Sequence, residues 1–118
     1  MMSNYILKFY REKNGFCPIE DFLDRLNEKM RVKVVRELQL LEEFGSELRM
    51  PHSRLISNGI FELRVKYSSD IVRVFFFFDH NKIIILTNGY IKKQQKLSKK
   101  DFELAMSYKS AYLNGRSK

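Results

Sequence analysis

Hydrophobic positions recur with the period of a helix over residues 18–44, and with the period of a strand before this segment and again over residues 60–88. The segment "NYILKF" at 4–9 alternates and predicts a short first strand. Apolar residues then recur at helical spacing over 18–27 and 28–44, with Pro18 suited to a first helical position and Gly45 to a helix stop. These two helices are expected to form a hairpin with a polar outer face.

The middle of the chain predicts a three-stranded antiparallel meander. Clean alternation over 60–67 and apolar runs over 71–78 and 83–88 indicate the strands, and "SSD" and "DHNK" supply the turns. The preceding stretch, 46–59, is interpreted as a polar connector. One face of the meander carries mostly apolar side chains and is expected to lie against the helix hairpin.

A last helix is predicted over 99–113, with Ser98 and Asp101 in a capping pattern at its start. The order of elements is N-terminal strand, helix hairpin, antiparallel three-stranded meander and C-terminal helix, which indicates an α+β fold. At 118 residues the chain is expected to form a single domain, 1–118. The second sheet face is expected to stay open, with at most partial cover from the last helix.

Composition narrows the class of protein. Hydrophobic residues make up 44% and charged residues 31% of the chain, which is typical of a globular protein. The longest apolar run, "VFFFF", is far too short for a membrane span, so no membrane association is expected. The N-terminus does not resemble a secretory signal, and the single cysteine, Cys17, fits a cytoplasmic location. No metal-ligand cluster is visible, and no cofactor is expected.

Positive charge is concentrated at the C-terminal end. The net charge is +8, and residues 89–118 contribute eight bases against two acids. A basic end on a nearly neutral body favours a polyanionic partner, either nucleic acid or an acidic protein segment.

A charged row on the open face is the candidate site. It combines strand residues with the basic stretch after the last strand, and the candidates are Glu62, Arg64, Lys66, Arg73, Tyr90, Lys92, Lys93 and Lys96. Phe75 and Phe77 would lie beside them as aromatic surface on which RNA bases could stack, but residues Phe75 to Phe78 are expected mostly to be part of the core. Guanidinium groups bind phosphate bidentately, so this combination favours a phosphodiester ligand.

Arg73 has two interpretations. It interrupts an apolar strand and either pairs with an acid of this chain, Glu62 for example, or faces a ligand from outside. His52 and His80 fall in a connector and a turn, where most histidines are surface residues, and His52 is the better candidate for proton transfer. Cys17 is interpreted as structural.

Over nearly its whole length, and most specifically from Gly59 to Tyr112, the chain resembles the RelE/HigB-type toxins of bacterial toxin–antitoxin systems, and most closely their phage-derived Gp49-like branch. The resemblance depends on "GIFELR", on "VRVFFFF" with its single arginine, on "NGYIKK" and on the closing helix with its alanine and tyrosine residues. It implies a small sheet with a helix hairpin and an endoribonuclease that cleaves mRNA in the ribosomal A site, without metal, through the RNA 2′-OH.

Site roles follow from the same resemblance. Arg64 and Arg73 match positions that hold the scissile phosphate, and Lys92 and Lys93 match a basic pair that neutralises charge on the phosphate or the leaving group. The resemblance leaves the general base open, and the candidates are Tyr90, His52 and Glu62. Lys66, His52, Phe75 and Lys96 are expected to contact the substrate.

The resemblance also implies partners. A cognate antitoxin, expected to be of the helix-turn-helix type, would place an acidic segment where RNA binds and would link the chain to operator DNA. Two other functions stay open: a ParE-like inhibitor of DNA gyrase, and a noncatalytic nucleic-acid-binding module.

Overall fold

A five-stranded mixed sheet forms the centre of the fold. The computed structural model describes residues 5–92 and 96–116. The elements are β1 (Ile6–Phe9), α1 (Pro18–Arg25), α2 (Glu28–Phe44), a 3-10 turn (Gly45–Glu47), β2 (Ser53–Ser57), β3 (Ile60–Tyr67), β4 (Asp70–Asp79), β5 (Ile83–Lys92) and α3 (Lys99–Arg116). The strand order is β1-β5-β4-β3-β2. β1 runs parallel to β5 and every other pairing is antiparallel, so the predicted meander is confirmed as β3-β4-β5.

The helix hairpin covers one face of the sheet. Pro18 occupies the first turn of α1, and the Asn27 side chain accepts a hydrogen bond from the Met30 amide at the start of α2. Gly45 ends α2 with a φ of 52°, and a Cβ at this position would collide with the Tyr5 ring. The buried side chains of both helices meet the apolar residues of β3, β4 and β5 in the larger core cluster.

The opposite face is covered by α3 over the central strands. Phe75 of β4 and Tyr90 of β5 form a second buried cluster with Ala105 of α3, and Phe102 packs against it. The Ser98 hydroxyl accepts a hydrogen bond from the Asp101 amide, as the predicted capping pattern requires. The expectation of at most partial cover from the last helix is therefore confirmed: α3 packs on β4 and β5, while Arg64 and Lys66 of β3 keep exposed surface.

Three boundaries differ from the sequence prediction. The connector predicted over 46–59 contains the 3-10 turn and the edge strand β2, whose Leu55 is exposed and whose Ile56 packs toward α3. β5 continues to Lys92, so Tyr90 lies within a strand, and α3 continues to Arg116. Over the residues that the structure describes, no helix is both long enough and apolar enough to cross a membrane.

Candidate functional site

A row of side chains crosses the sheet on the face that α3 only partly covers. Arg64 of β3 lies opposite Arg73 of β4, which lies opposite Tyr90 of β5. At the sheet edge the His52 carbonyl accepts a hydrogen bond from the Arg64 amide, which places His52 in line with this row. Directly opposite residues of antiparallel strands share a face, so the register brings the predicted candidates together.

Glu62 is the centre of the charged part of this row. Its side chain is completely buried, and so is that of Arg73. Arg73 Nη1 donates to Glu62 Oε2 at 2.8 Å, and Arg54 Nε donates to Glu62 Oε1 at 3.1 Å. Arg64 Nε lies 3.7 Å from the same Oε1. One buried carboxylate therefore holds three guanidinium groups from three adjacent strands, and we refer to these four residues as the Glu62 cluster.

The Glu62 cluster has an excess of positive charge. Three guanidinium groups surround one carboxylate, which leaves a net charge of +2 within a few ångströms. A buried ion pair is tolerated only where good geometry offsets its desolvation, and Arg73 achieves this through Glu62. Arg64 and Arg54 instead reach the surface, with 16% and 39% of their side chains exposed. Arg73 thus pairs with Glu62 inside the protein, and the accessible cations of the cluster are Arg54 and Arg64.

An open pocket of about 330 Å³ lies beside the cluster at the sheet edge. Lys33 and Glu37 of α2 form one wall, and His52, Arg64 and Lys66 contribute the polar part of the other. Across it, His52 Nδ1 and Glu37 Oε1 are 2.7 Å apart, within hydrogen-bond distance. The pocket therefore combines a carboxylate–histidine pair with three cations.

Tyr90 lies at the other end of the row, under α3. Its hydroxyl accepts a hydrogen bond from the Ser98 amide at 3.1 Å. Burial raises the pKa of the Tyr90 hydroxyl above its ordinary value, and the hydrogen bond from the Ser98 amide and the nearby positive charge of Arg73 offset only part of this effect. Tyr90 is therefore held as a neutral phenol that ties β5 to the start of α3.

The aromatic surface predicted for β4 is not exposed. Phe75 and Phe77 are fully buried, and Phe75 packs against the rings of Tyr90 and Phe102. The interpretation of these positions as core is therefore confirmed, and the interpretation as a stacking surface is wrong, because α3 occupies the space above them. In this conformation a nucleotide base cannot reach the Phe75 ring.

The lysine candidates are spread over the rim. Lys66 is exposed, and both it and Lys92 are in register with Ile71 of β4, so they flank that strand on the same face. Lys96 is exposed in the segment that precedes α3. Lys93 lies outside the described residues.

The remaining candidates lie apart from the row. Cys17 caps α1 and is buried in the larger core cluster, as expected for a structural residue. His80 is exposed in the turn between β4 and β5, at 3.7 Å from Asp79. Within residues 5–92 and 96–116, no group of three or more His, Cys, Asp or Glu side chains is arranged to hold a metal ion.

Three residues of the site were not among the sequence candidates: Arg54, Glu37 and Lys33. Arg54 was missed because its strand, β2, was interpreted as a connector, and "SRLIS" lacks the apolar–polar alternation of β3. Lys33 and Glu37 are four residues apart on α2 and hence on one face, but nothing in the sequence indicates that this face meets the sheet edge.

A comparison with models of known protein families finds a match over most of the chain. The family model described as phage-derived protein Gp49-like (DUF891) matches residues 21–109. The match extends from α1 into α3, includes β2 to β5, and spans about three quarters of the chain. No curated protein matches the chain.

Proposed function

Since the chain belongs to the phage-derived Gp49-like family, which is a RelE/HigB-type toxin family, we propose that it is an endoribonuclease that cleaves mRNA on the ribosome. The single observation that carries this proposal is the Glu62 cluster with the pocket beside it. Net positive charge, a fixed guanidinium geometry and an accessible opening occur together there. This combination suits the phosphate of an RNA strand.

The guanidinium groups would act on the scissile phosphate. Cleavage through the 2′-OH places extra negative charge on the phosphorane oxygens, and cations held in advance stabilise that charge. Arg64 is the best placed, because it lines the pocket and its side chain is partly exposed. Arg54 is also accessible, and Lys66 and Lys92 would add screening from the rim. We assign Lys93 and Lys96 to the same basic approach for RNA, on sequence grounds.

Arg73 has a different role in this proposal. Its burial and its 2.8 Å bond to Glu62 favour a positioning residue that fixes Glu62, which in turn orients Arg64 and Arg54. This replaces the direct phosphate contact that the resemblance implies. Phe75 likewise acts through packing, since its ring supports Tyr90 beneath α3.

The partners follow from the toxin class. We propose that a cognate antitoxin, of the helix-turn-helix type, inhibits the chain by placing an acidic segment over the exposed arginines. Operator DNA would then be bound through the antitoxin, and the chain would act in the cytoplasm, where ribosomes and mRNA are found.

The test is mRNA cleavage by the purified chain, mapped by primer extension with and without programmed ribosomes. Cuts that appear only with ribosomes and are absent in Arg64→Ala are expected. Cuts in naked RNA would support the nuclease activity but show that the ribosome is not required for it. Folded protein that cuts neither sample would overturn the proposal. Stabilisation of cleaved DNA in a gyrase assay would then identify a ParE-like inhibitor, and RNA binding without cleavage would identify a binding module.

A further inference from the structure

Glu37 and His52 are joined across two elements that are distant in sequence. Glu37 lies on α2 and His52 immediately precedes β2, yet Glu37 Oε1 and His52 Nδ1 are 2.7 Å apart. The carboxylate is mostly buried, whereas 42% of the His52 side chain is exposed. Glu37 is therefore held in place on α2, and the His52 imidazole is accessible from the pocket.

We propose that His52 is the general base of the RNA cleavage reaction and that Glu37 is its positioning residue. The inference depends on the proposed function and names the proton acceptor that function requires. A neutral imidazole whose Nδ1–H donates to a carboxylate carries its free electron pair on Nε2. Glu37 thus selects the tautomer in which the exposed nitrogen can accept a proton, and it stabilises the imidazolium that forms afterwards.

The surroundings of His52 suit this chemistry. Lys33 and Glu37 face it from α2, and Arg64 and Lys66 face it from β3, all within the lining of one pocket of about 330 Å³. That volume is at the lower end of small-molecule sites and matches a sugar–phosphate unit better than a drug-sized ligand. A phosphate held by Arg64 would therefore place the adjoining ribose beside the imidazole.

The chemical step is a transesterification. His52 Nε2 takes the proton of the ribose 2′-OH, and the electron pair on O2′ forms a new bond to phosphorus. The P–O5′ bond breaks, and O5′ takes a proton from water or from a cationic side chain. The products are a 2′,3′-cyclic phosphate and a 5′-hydroxyl end, and His52 returns its proton to solvent.

The other two candidates for the base are poorly placed. The Tyr90 hydroxyl is bound to the Ser98 amide beneath α3. Glu62 is fully buried, with its two oxygens turned to arginines. His52 is the candidate that combines exposure, a fixed orientation and a cationic pocket.

The experiment measures single-turnover cleavage on programmed ribosomes between about pH 5 and 8, the range in which histidine changes charge. His52→Asn is expected to lower the rate by about 100-fold or more, the usual contribution of a general base, and to abolish the rise of the rate with pH. His80→Asn makes the same change at an exposed turn and should keep the wild-type rate. Glu37→Ala should lower the cleavage rate by about tenfold or more, and Glu37→Gln should lower it less. Glu43→Gln, on the exposed side of α2, should keep the wild-type rate.

A second readout does not need RNA. The ¹⁵N chemical shifts of the imidazole report which nitrogen carries the proton. Nδ1–H is expected for neutral His52 in the wild type, and a mixture of tautomers in Glu37→Ala.

The outcomes separate the two levels of the proposal. Wild-type cleavage that His52→Asn leaves intact would overturn the inference and spare the proposed function. If Glu37→Ala leaves both the His52 tautomer and the pH profile of cleavage unchanged, Glu37 is not a positioning residue, and its contact with His52 only links α2 to β2. Absence of wild-type cleavage would overturn the proposed function first.

Discussion

Arg73 Nη1 and Glu62 Oε2 form a 2.8 Å ion pair in which both side chains are inaccessible to solvent. The two residues lie on adjacent strands, and Glu62 is two residues along β3 from Arg64, the residue directly opposite Arg73. A charge inside a strand of four phenylalanines is tolerated because its counter-charge is supplied by the same sheet. The second oxygen of Glu62 is shared by Arg54 and Arg64, so one internal pair organises two accessible guanidinium groups.

Glu62→Gln should destabilise the fold strongly. The substitution keeps the shape of the side chain but removes the carboxylate that pairs with the buried Arg73. Breaking a buried ion pair by removing one partner typically costs about 3–5 kcal/mol of the free energy of unfolding. Urea unfolding followed by circular dichroism would measure this cost.

Glu43→Gln is the matched control, because it makes the same change at an exposed position of α2. Its free energy of unfolding should stay within about 0.5 kcal/mol of wild type. A loss below about 1 kcal/mol in Glu62→Gln, which is the range of exposed pairs, would contradict the buried pair.

Arg64→Ala should reduce cleavage much more than stability. The side chain lines the pocket and is partly exposed, so its removal opens little space in the core. Loss of one donor to developing negative charge costs about 10²–10³ in rate. Single-turnover cleavage on ribosomes, compared with thermal unfolding of the same sample, would separate the two effects. Arg36→Ala, at an exposed position of α2, serves as the control and should cleave at the wild-type rate.

The layer arrangement could be predicted because the hydrophobic pattern of the sheet was strong. Alternation over 60–67 and the apolar run over 71–78 place β3 and β4, and they put Glu62 and Arg64 on one face of β3. The register of the two strands, which the sequence left open, adds Arg73 to that face. β2 was missed because an edge strand buries little, so its five residues carry only two apolar side chains. Partial cover by α3 was expected, but its position over Phe75 could not be predicted, because a helix of mixed polarity does not reveal which of its faces packs on the sheet.

The candidate site could be predicted only within the strands. Residues in register along β3 and β4 follow from period-two alternation, and the pairing of Arg73 with Glu62, one of the two interpretations offered, is confirmed. Glu37 could not be predicted, because its contact with His52 depends on how α2 crosses the sheet edge. That crossing is set by packing of the apolar stripe of α2, whose polar neighbours carry no separate signal.

Lys66 should contribute to RNA affinity through charge alone. It is exposed at the rim of the pocket, where a phosphate contact releases counterions from the strand. In the inactive His52→Asn background, Lys66→Gln should lower the slope of log affinity against log salt by about 0.7 for single-stranded RNA. Fluorescence anisotropy over a salt series would measure it. Lys82→Gln, in the exposed turn between β4 and β5 and at the opposite end of β4 from this pocket, should leave the slope unchanged. Equal slopes for the His52→Asn protein and for both lysine variants would contradict the contact.

Tyr108 should make the fold sensitive to alkali. Burial raises the pKa of the Tyr108 phenol, and the negative charge of Glu12 raises it further. Glu12 also accepts a hydrogen bond from the Tyr108 hydroxyl. Below about pH 10, the ordinary value for tyrosine, both the folded and the unfolded chain keep the proton and the stabilisation is complete. Above it the unfolded chain releases the proton first, so the free energy of unfolding decreases as the pH rises through the higher folded-state pKa. Between pH 8 and pH 11, urea unfolding should therefore show a smaller loss of the free energy of unfolding in Tyr108→Phe than in wild type. At pH 8 the variant should be about 1 kcal/mol less stable than wild type, because it lacks the hydrogen bond. Equal losses in the two proteins would assign the alkaline sensitivity to other groups.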